Sequence, residues 1–417
     1  MRSLSEWLAH IERQHPQPIA LGLERVADVL ARLRVRLECP VITVGGTNGK
    51  GSTCALVESI LRAAGMRTAL YTSPHLVRYN ERVRIAGTEA SDTALCEAFA
   101  AVEAERKSVP LTYFEFGTLA ALWLFAREKL EAVILEVGLG GRLDAVNVID
   151  PDCAVITSIG IDHVEYLGGS RESIAREKAG IFRDGRPAIV AEPDPPQPLL
   201  DAPGQKLLLG RDFGYTVQGT QWSYWGPAGK RSALAHPALR GAVQLRNAAA
   251  ALCALDSLKL PIAMQEVRRG LAEVTLPGRF QVLPGRPQVI LDVAHNAQAA
   301  LTLERNFAAS GFAPQTIAVC GMLRDKDIAG VLGAIAPRIT RWHLASLSGP
   351  RAARASELAA HLPPGDAAVF EFDSPAQAFA GALGVAGEND KILVFGSFLT
   401  VGEVLEWLKK NNKTSIP

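Results

Sequence analysis

The stretch GGTNGKGST (residues 45–53) has the residue types of a phosphate-binding loop without the standard spacing. The usual order is G-x-x-x-x-G-K-[ST]. Counting back from Gly49-Lys50 puts Val44 where the first glycine belongs. Gly51 stands where a metal-binding hydroxyl belongs, and Ser52 comes one place later. The chemistry is still that of anion binding. Glycines let backbone N–H groups approach a ligand with no Cβ in the way. A helix N-terminus adds its dipole, and Lys50 offers a point charge for the β- and γ-phosphates of a nucleotide. An ordinary glycine-rich turn is the plain alternative. If a nucleotide binds here, its metal needs ligands from elsewhere in the chain.

Candidates stand at the ends of other apolar runs. Glu136 closes EAVILE, where a carboxylate leaving a buried strand needs a compensating cation or an exit to solvent. Its place at a strand end suits a Mg²⁺ ligand. His163 follows TSIGID in the same way, and can be a ligand or a hydrogen-bonded bystander. Lys178, within SIAREKAGIF, reads by itself as a solvated helix lysine. ILDVAHN sets Asp292 and His295 just past another strand.

These residues must be positioned by alternating strands and helices. PVITVGG (40–46), RTALYT (67–72), EAVILEVGLGG (131–141) and CAVITSIG (153–160) read as strands. KGSTCALVESILRAAG has a helical period that stops at Gly65, and residues 170–182 form a helix capped by Ser170. Such alternation predicts a parallel sheet covered on both faces, with ligands at the carboxyl ends of its strands. The region 193–235 is proline-rich and then polar-aromatic, which predicts a loop and a short antiparallel hairpin. An alanine-rich helix follows at 245–258. TLPGRFQVLPGRPQ (275–288), with its Pro-Gly pairs, is the best linker candidate. Beyond it the alternation restarts with five strands, and helices near 297–309, 327–336, 354–361, 374–385 and 399–410. The predicted class is α/β: a nucleotide-binding domain over 1–280 with a mostly parallel sheet and a small β element, then an α/β domain over 286–417.

The chain of 417 residues is long enough for two domains. Its 44 basic and 43 acidic residues leave a net charge of +1, so no nucleic acid or membrane partner is expected. The six cysteines form no C-x-x-C pair and mostly lie in apolar runs, which suggests buried free thiols in a reducing compartment. No signal peptide or 18-residue apolar run is visible, and a cytoplasmic location is expected.

Read in order, LGLERV, VGGTNGKGS, TSPHLVRYNERVRI, TYFEFGTLAAL, LEVGLGGRLDAVN, SIGIDHVEYLG, IAREKAGI, QLRNAAAAL, LPGRF, DVAHN, GMLRDKD and GSFLTVGEV resemble the dihydrofolate synthase/folylpolyglutamate synthase family, a branch of the Mur ligases. The resemblance spans about residues 18–410. It implies an ATP-dependent carboxylate–amine ligase with a P-loop-type N-terminal domain and a Rossmann-like C-terminal domain, working as a monomer. The implied substrates are ATP, L-glutamate, dihydropteroate and tetrahydrofolate. It implies that Thr47, Asn48, Gly49 and Lys50 hold the ATP phosphates and that Asn247, Arg279 and Asp292 also contact ATP. Ser73, Glu136 and His163 fall on Mg²⁺-ligand positions. Lys178 falls on a lysine that is carbamylated to hold a second Mg²⁺. His295 falls near the reacting phosphate, to orient it or to deprotonate the incoming ammonium. Leu21, Gly22, Thr112, Phe114, Glu115 and Asp144 fall on dihydropteroate-binding positions. Ser52 and Thr53 are then left to serve the helix N-terminus, capping it and donating to phosphate.

Two departures stand beside functional positions. Val243 precedes Gln244 where the family often has histidine, and Val293 replaces a glycine. The implied reaction makes an acyl phosphate on dihydropteroate, which the amine of glutamate attacks; tetrahydrofolate receives further glutamates in the same way. A Mur-type ligase acting on another carboxylate, and a nucleotide-binding regulator without ligase activity, are the competing readings. DKD (325–327) and SGPRAARASEL (348–358) are candidates for the glutamate site, although charged-loop and helix-cap roles explain them equally well.

Overall fold

The computed structural model describes residues 2–17 and 19–411. It divides into two compact units. The first comprises Met1–His75, Tyr79–Ala238 and Gln244–Thr275; the second comprises Leu76–Arg78, Leu239–Val243 and Leu276–Pro417.

Among the described residues the first unit has eleven strands: β1 (Val41–Gly45), β2 (Thr68–Tyr71), β3 (Val83–Ile85), β4 (Thr88–Glu89), β5 (Ala132–Glu136), β6 (Cys153–Ile156), β7 (Pro187–Val190), β8 (Gln205–Leu208), β9 (Gly214–Gln218), β10 (Gln221–Gly226) and β11 (Gly229–Ala235). The main sheet runs β4-β3-β2-β5-β1-β6-β7-β8. From β2 to β8 its pairings are parallel, while β3 and β4 add an antiparallel edge. Strands β1, β2, β5 and β6 are buried at every residue, as expected of a parallel sheet with helices on both faces. The helix Lys50–Ala63 leaves β1 and packs on helix Met264–Glu273. That packing needs Gly270: a Cβ there would lie 2.5 Å from Ile60 Cα. Ser170 caps the helix Arg171–Ala179 by accepting the Ser173 N–H.

The predicted hairpin is a three-stranded antiparallel sheet, β11-β10-β9. Sequence reading undercounted it because its buried side chains face a helix. The Tyr224 O–H donates to Asp256 Oδ2 at 2.8 Å, and Arg231 pairs with the same carboxylate at 2.7 Å. Asp256 belongs to the helix Val243–Ser257.

The second unit has β12 (Gln281–Leu283), β13 (Gln288–Leu291), β14 (Thr316–Cys320), β15 (Arg341–Ala345), β16 (Ala368–Phe372) and β17 (Lys391–Phe395). Their order is β12-β13-β17-β14-β15-β16, parallel except for β12. Part of the expected linker is therefore strand. Leu283 is buried, and β12 pairs antiparallel with β13 across the second Pro-Gly turn. Helices Ala297–Ala308, Ile328–Ile335, Ala355–Ala359, Pro375–Val385 and Phe398–Lys410 fall close to their predicted positions. The α/β class read from the sequence is the class adopted. Among the described residues no helix is long and apolar enough to cross a membrane. All the cysteines are free, and all but the half-buried Cys39 are buried.

Candidate active site

The loop Gly46–Gly49 leaves β1 and is tied to the end of β6 by a network that the sequence did not suggest. Thr47 N–H donates to Ser158 O at 2.8 Å. Asn48 N–H donates to Ser158 Oγ at 2.9 Å. The Thr157 and Ser158 hydroxyls both reach Asn48 O, at 2.7 and 2.9 Å. Thr47 Oγ1 donates to Gly160 O and accepts the Gly160 N–H, each at 3.0 Å. Thr157 and Ser158 are fully buried. The available signal was a Thr-Ser pair at the end of an apolar strand, in CAVITSIG. Gly46 is required at this contact: at φ +143°, a Cβ would meet Thr157 Oγ1 at 2.0 Å.

Lys50 opens the helix, and its ammonium donates to the carbonyls of Gly46 at 3.1 Å and Thr47 at 3.3 Å. Gly49 is the N-cap, and no side chain caps this end. The expected capping by Ser52 or Thr53 is therefore wrong. Both lie beyond the N-cap and face inward, and Thr53 Oγ1 is buried without a partner. Asn247 comes to the loop from the helix Val243–Ser257. A Cβ on Gly49 would lie 2.8 Å from Asn247 Oδ1, and Gln244 Oε1 accepts from Asn247 Nδ2 at 2.9 Å. The Val243 departure leaves both of these residues in place.

Neighbouring strand ends supply further chemistry. Glu136 ends β5 opposite Val44 of β1 and is buried. Its Oε2 accepts the Ser73 N–H at 3.2 Å, so the ends of β2 and β5 meet there. His163 lies beyond β6 at φ +52° and starts the short helix Val164–Leu167. Among the described residues no three His, Cys, Asp or Glu side chains converge as a metal cage. The donor chemistry nevertheless fits Mg²⁺. That ion commonly takes one or two carboxylates and leaves its other positions to phosphate oxygens and water. A buried glutamate beside a phosphate loop and a serine meets this pattern.

Lys178 is buried, not solvated as its helix context suggested. Its ammonium donates to Gly46 O at 2.9 Å, the same carbonyl that Lys50 reaches. Burial, reinforced by the charge of Lys50, pulls its pKa down to about 7. The glycine turn after β5 sets this geometry. A Cβ on Gly141 would fall 2.7 Å from Lys178 O, and Arg142 N–H donates to Glu177 O at 2.7 Å. A half-neutral buried amine is a competent nucleophile toward carbon dioxide.

The residues assigned to dihydropteroate gather around the same turn. The Phe114 ring covers Gly138, where a Cβ would lie 2.6 Å from it, and sits 5.9 Å from the Tyr71 ring. Gly22 N–H donates to Leu143 O at 3.3 Å, bringing Leu21 and Gly22 beside Asp144. The Asp144 carboxylate accepts the N–H groups of Leu139 at 2.8 Å and Val146 at 3.1 Å. Burial raises its pKa to about 6 against those hydrogen bonds. Thr112 and Glu115 already have structural work as a capping box. Thr112 Oγ1 accepts the Glu115 N–H at 3.2 Å, and Glu115 Oε2 accepts the Thr112 N–H at 2.8 Å. Glu115 Oε1 also pairs with Arg25 at 2.7 Å.

The second unit places Arg279, Asp292 and His295 together past β13. Asp292 accepts the N–H groups of Phe280 and Ala294, each at 2.8 Å. Burial raises its pKa, and Arg279 opposes the rise. The Arg279 guanidinium lies 5.0 Å from the Phe398 ring centroid, and the His295 ring lies 6.1 Å from the same ring. His295 Nδ1 is 2.8 Å from Val293 O, so it must donate its proton there. Val293 fits as a valine: its N–H donates to Gly278 O at 2.9 Å, and its side chain packs toward Gly278.

Residues 325–327 and 348–358 also meet in this unit. Arg351 pairs with Asp325, and Arg324 pairs with Glu357 at 3.2 Å. Asp327 and Glu357 cap helices. Both of the plain roles are thus realised, beside a cavity of about 500 Å³ lined in part by Lys326 and His361.

The Mur ligase middle domain family matches residues 44–255, and the Mur ligase glutamate ligase domain family matches residues 278–398. The chain is 48% identical over 408 residues to the dihydrofolate synthase/folylpolyglutamate synthase of Escherichia coli K12, covering 97% of this chain and 95% of that protein. It is 44% identical over 431 residues to the Haemophilus influenzae protein of the same name, covering 96% of each. Among solved structures, E. coli FolC in complex with DHPP and ADP is similar with a TM-score of 0.94, at 46% identity over 99% of each chain. A bifunctional folylpolyglutamate synthase/dihydrofolate synthase with Mn, AMPPNP and L-glutamate bound is similar with a TM-score of 0.91, at 45% identity over 98% of each chain.

Proposed function

The chain belongs to the dihydrofolate synthase/folylpolyglutamate synthase family of Mur ligases, and on that premise we propose what its own residues do in the reaction. It is an ATP-dependent carboxylate–amine ligase that joins L-glutamate to dihydropteroate and adds glutamates to tetrahydrofolate. The observation that carries the residue assignment is convergence within the first unit. The loop after β1, Ser73 after β2, Glu136 at the end of β5 and the buried Lys178 lie around one set of strand ends.

A carboxylate oxygen of the acid substrate attacks the γ-phosphorus of ATP; the bond to ADP breaks and an acyl phosphate forms. The amine of glutamate then attacks the carbonyl carbon, phosphate leaves with the C–O electron pair, and the nitrogen loses its proton. The first step brings two anions together, so positioned cations and N–H dipoles supply most of the assistance. Thr47, Asn48 and Gly49 present the loop to the phosphates, and Lys50 exchanges its carbonyl partners for phosphate oxygens. Asn247, Arg279 and Asp292 are assigned to ATP. Ser73, Glu136 and His163 would hold a Mg²⁺, which supplies charge neutralisation at the phosphates. Lys178, carbamylated through its neutral amine, would add a carboxylate for a second ion. His295 gives its Nδ1 proton to Val293 O, which leaves the lone pair of the neutral ring on Nε2. That favours taking the proton of the incoming ammonium over donating to the phosphoryl group.

Leu21, Gly22, Phe114 and Asp144 form the dihydropteroate site, with Thr112 and Glu115 holding the start of the helix that carries Phe114. The aromatic ring suits stacking, and the carboxylate retains lone pairs for the N–H edge of a pterin. We assign a cytoplasmic location, with which the free thiols agree, and a monomer.

The test is phosphate release from ATP by purified protein. Release that requires both glutamate and dihydropteroate, and separately both glutamate and tetrahydrofolate, is expected. Release that ignores the acid offered would point to a different carboxylate substrate.

A further inference from the structure

Arg82 is a half-buried arginine that, among the described residues, makes no ion pair with a carboxylate. Its carboxyl-side neighbour begins β3, and its own carbonyl accepts the Thr72 N–H at 2.9 Å, one residue before Ser73. The guanidinium is held by aromatic faces: its carbon lies 5.4 Å from the Tyr79 ring centroid and 5.5 Å from that of Tyr113. Those rings meet edge to face at 5.9 Å. Arg82 Nε donates to His75 Nδ1 at 2.8 Å. Arginine can only donate, so the His75 ring accepts at Nδ1 and carries its proton on Nε2. Among the described residues no carboxylate pairs with Arg82, and its two terminal nitrogens have no hydrogen-bond partner. Among the described residues eleven other arginines of this unit and three of the second do make ion pairs with a carboxylate: Arg25, Arg84 and Arg231 are examples in buried surroundings.

An arginine fixed by two rings and a neutral imidazole, with both terminal nitrogens open, presents an end-on fork for a planar anion. Its surroundings indicate which anion. Tyr113 precedes Phe114 on the helix assigned to the pterin, and Thr72 precedes Ser73. The ligand is therefore a part of the acid substrate. The reacting carboxylate is a poor choice, because a bidentate arginine would draw charge from the oxygen that must attack phosphorus. Resting on the reading above, we propose that Arg82 binds a carboxylate of the folate substrate that does not react: the α-carboxylate of the glutamate tail, which tetrahydrofolate has and dihydropteroate lacks. Arg82 is then a specificity residue for the second activity, within a fold that performs both.

The experiment compares phosphate release by the wild type, Arg82→Gln and Arg82→Lys, varying dihydropteroate, tetrahydrofolate and glutamate in turn. Loss of a charge-assisted pair in Arg82→Gln should raise KM for tetrahydrofolate about 20-fold, with kcat and the KM values for dihydropteroate and glutamate within about 3-fold. Arg82→Lys keeps the charge without the fork and should raise KM for tetrahydrofolate about 5-fold. Unchanged dihydropteroate turnover reports an intact fold in the same sample. Equal losses for both acids in the two variants, or a rise confined to glutamate, would overturn the assignment. A wild type that turns over neither acid would instead remove the ligase reading on which the assignment rests.

Discussion

The strand ends of the two units hold their candidate anion-binding residues in different ways. In the first unit the loop after β1 is braced by its neighbour: Thr157 and Ser158, beyond β6, bond the backbone of Thr47 and Asn48, and Gly160 bonds the Thr47 hydroxyl. Two lysine ammonium groups converge on one carbonyl, that of Gly46. In the second unit, Asp292 braces its own turn through Phe280 and Ala294, and the cation Arg279 lies against one ring, Phe398. The first arrangement fixes a backbone surface and stores charge that awaits neutralisation. The second is a local turn with its charges already set against each other. Chemistry that depends on preorganised dipoles should therefore fail most sharply when the first is altered.

The strongest test removes the anion that faces the loop. Glu136→Gln should lower turnover at least about 100-fold while thermal unfolding stays close to that of the wild type. A near-normal rate would mean that another group holds the metal. Next is Lys178. Lys178→Ala should cost about 30-fold in turnover and recover in part with added formate or acetate, as loss of a charged ligand group implies. Full activity of the alanine variant without additive would remove the carbamate from the account.

The same lysine gives a pH signature. Its folded pKa, about 7, lies below the ordinary lysine value of 10.5. Between those values the unfolded chain binds more protons at this group than the folded chain does, so stability rises with pH across that window. Below pH 7 the penalty is fully present. In carbon dioxide-free buffer without nucleotide, Lys178→Met should therefore stabilise the fold most at or below neutral pH, with the gain shrinking toward pH 10. A gain independent of pH would show that the amine is not held neutral.

A smaller effect tests the brace. Thr157→Val with Ser158→Ala should raise KM for ATP about 10-fold, with little change in KM for glutamate, because lost hydrogen bonds of this kind are each worth about 1 kcal/mol. Equal changes in both constants would reduce the pair to general packing. The smallest effect is expected in the second unit, at an exposed pair. Arg324→Ala, which breaks its pair with Glu357, should alter stability by less than about 1 kcal/mol. A larger loss would show that the 324–358 region is more tightly built than its exposed ion pairs indicate.

Much of this protein was legible because its signals are local. Glycines after apolar runs marked the strand ends, the helical period after Lys50 marked the helix, and ordered motifs from LGLERV to GSFLTVGEV carried the family and its reaction. The misses share one cause, which is contact between segments distant in sequence. β12 looked like linker because two Pro-Gly pairs flank it, yet it gains strand pairing only beside β13. Ser52 and Thr53 looked like caps, but Gly49 takes the cap position and the tertiary fold turns them inward. Thr157 and Ser158 carry no motif by themselves, and they matter because β6 lies beside β1.

Local residue types by themselves determined the α/β alternation, the glycine-rich turn after β1 and the family. Periodicity, turn chemistry and motif order are properties of neighbouring residues, so they survive without coordinates. Only the tertiary structure decided that Lys178 is a buried amine whose pKa lies near 7, that Glu136 meets Ser73, and that Arg82 stands among rings with no acid partner among the described residues. Burial and pairing depend on which distant segments exclude water from a group, and solvation decides what a charge can do.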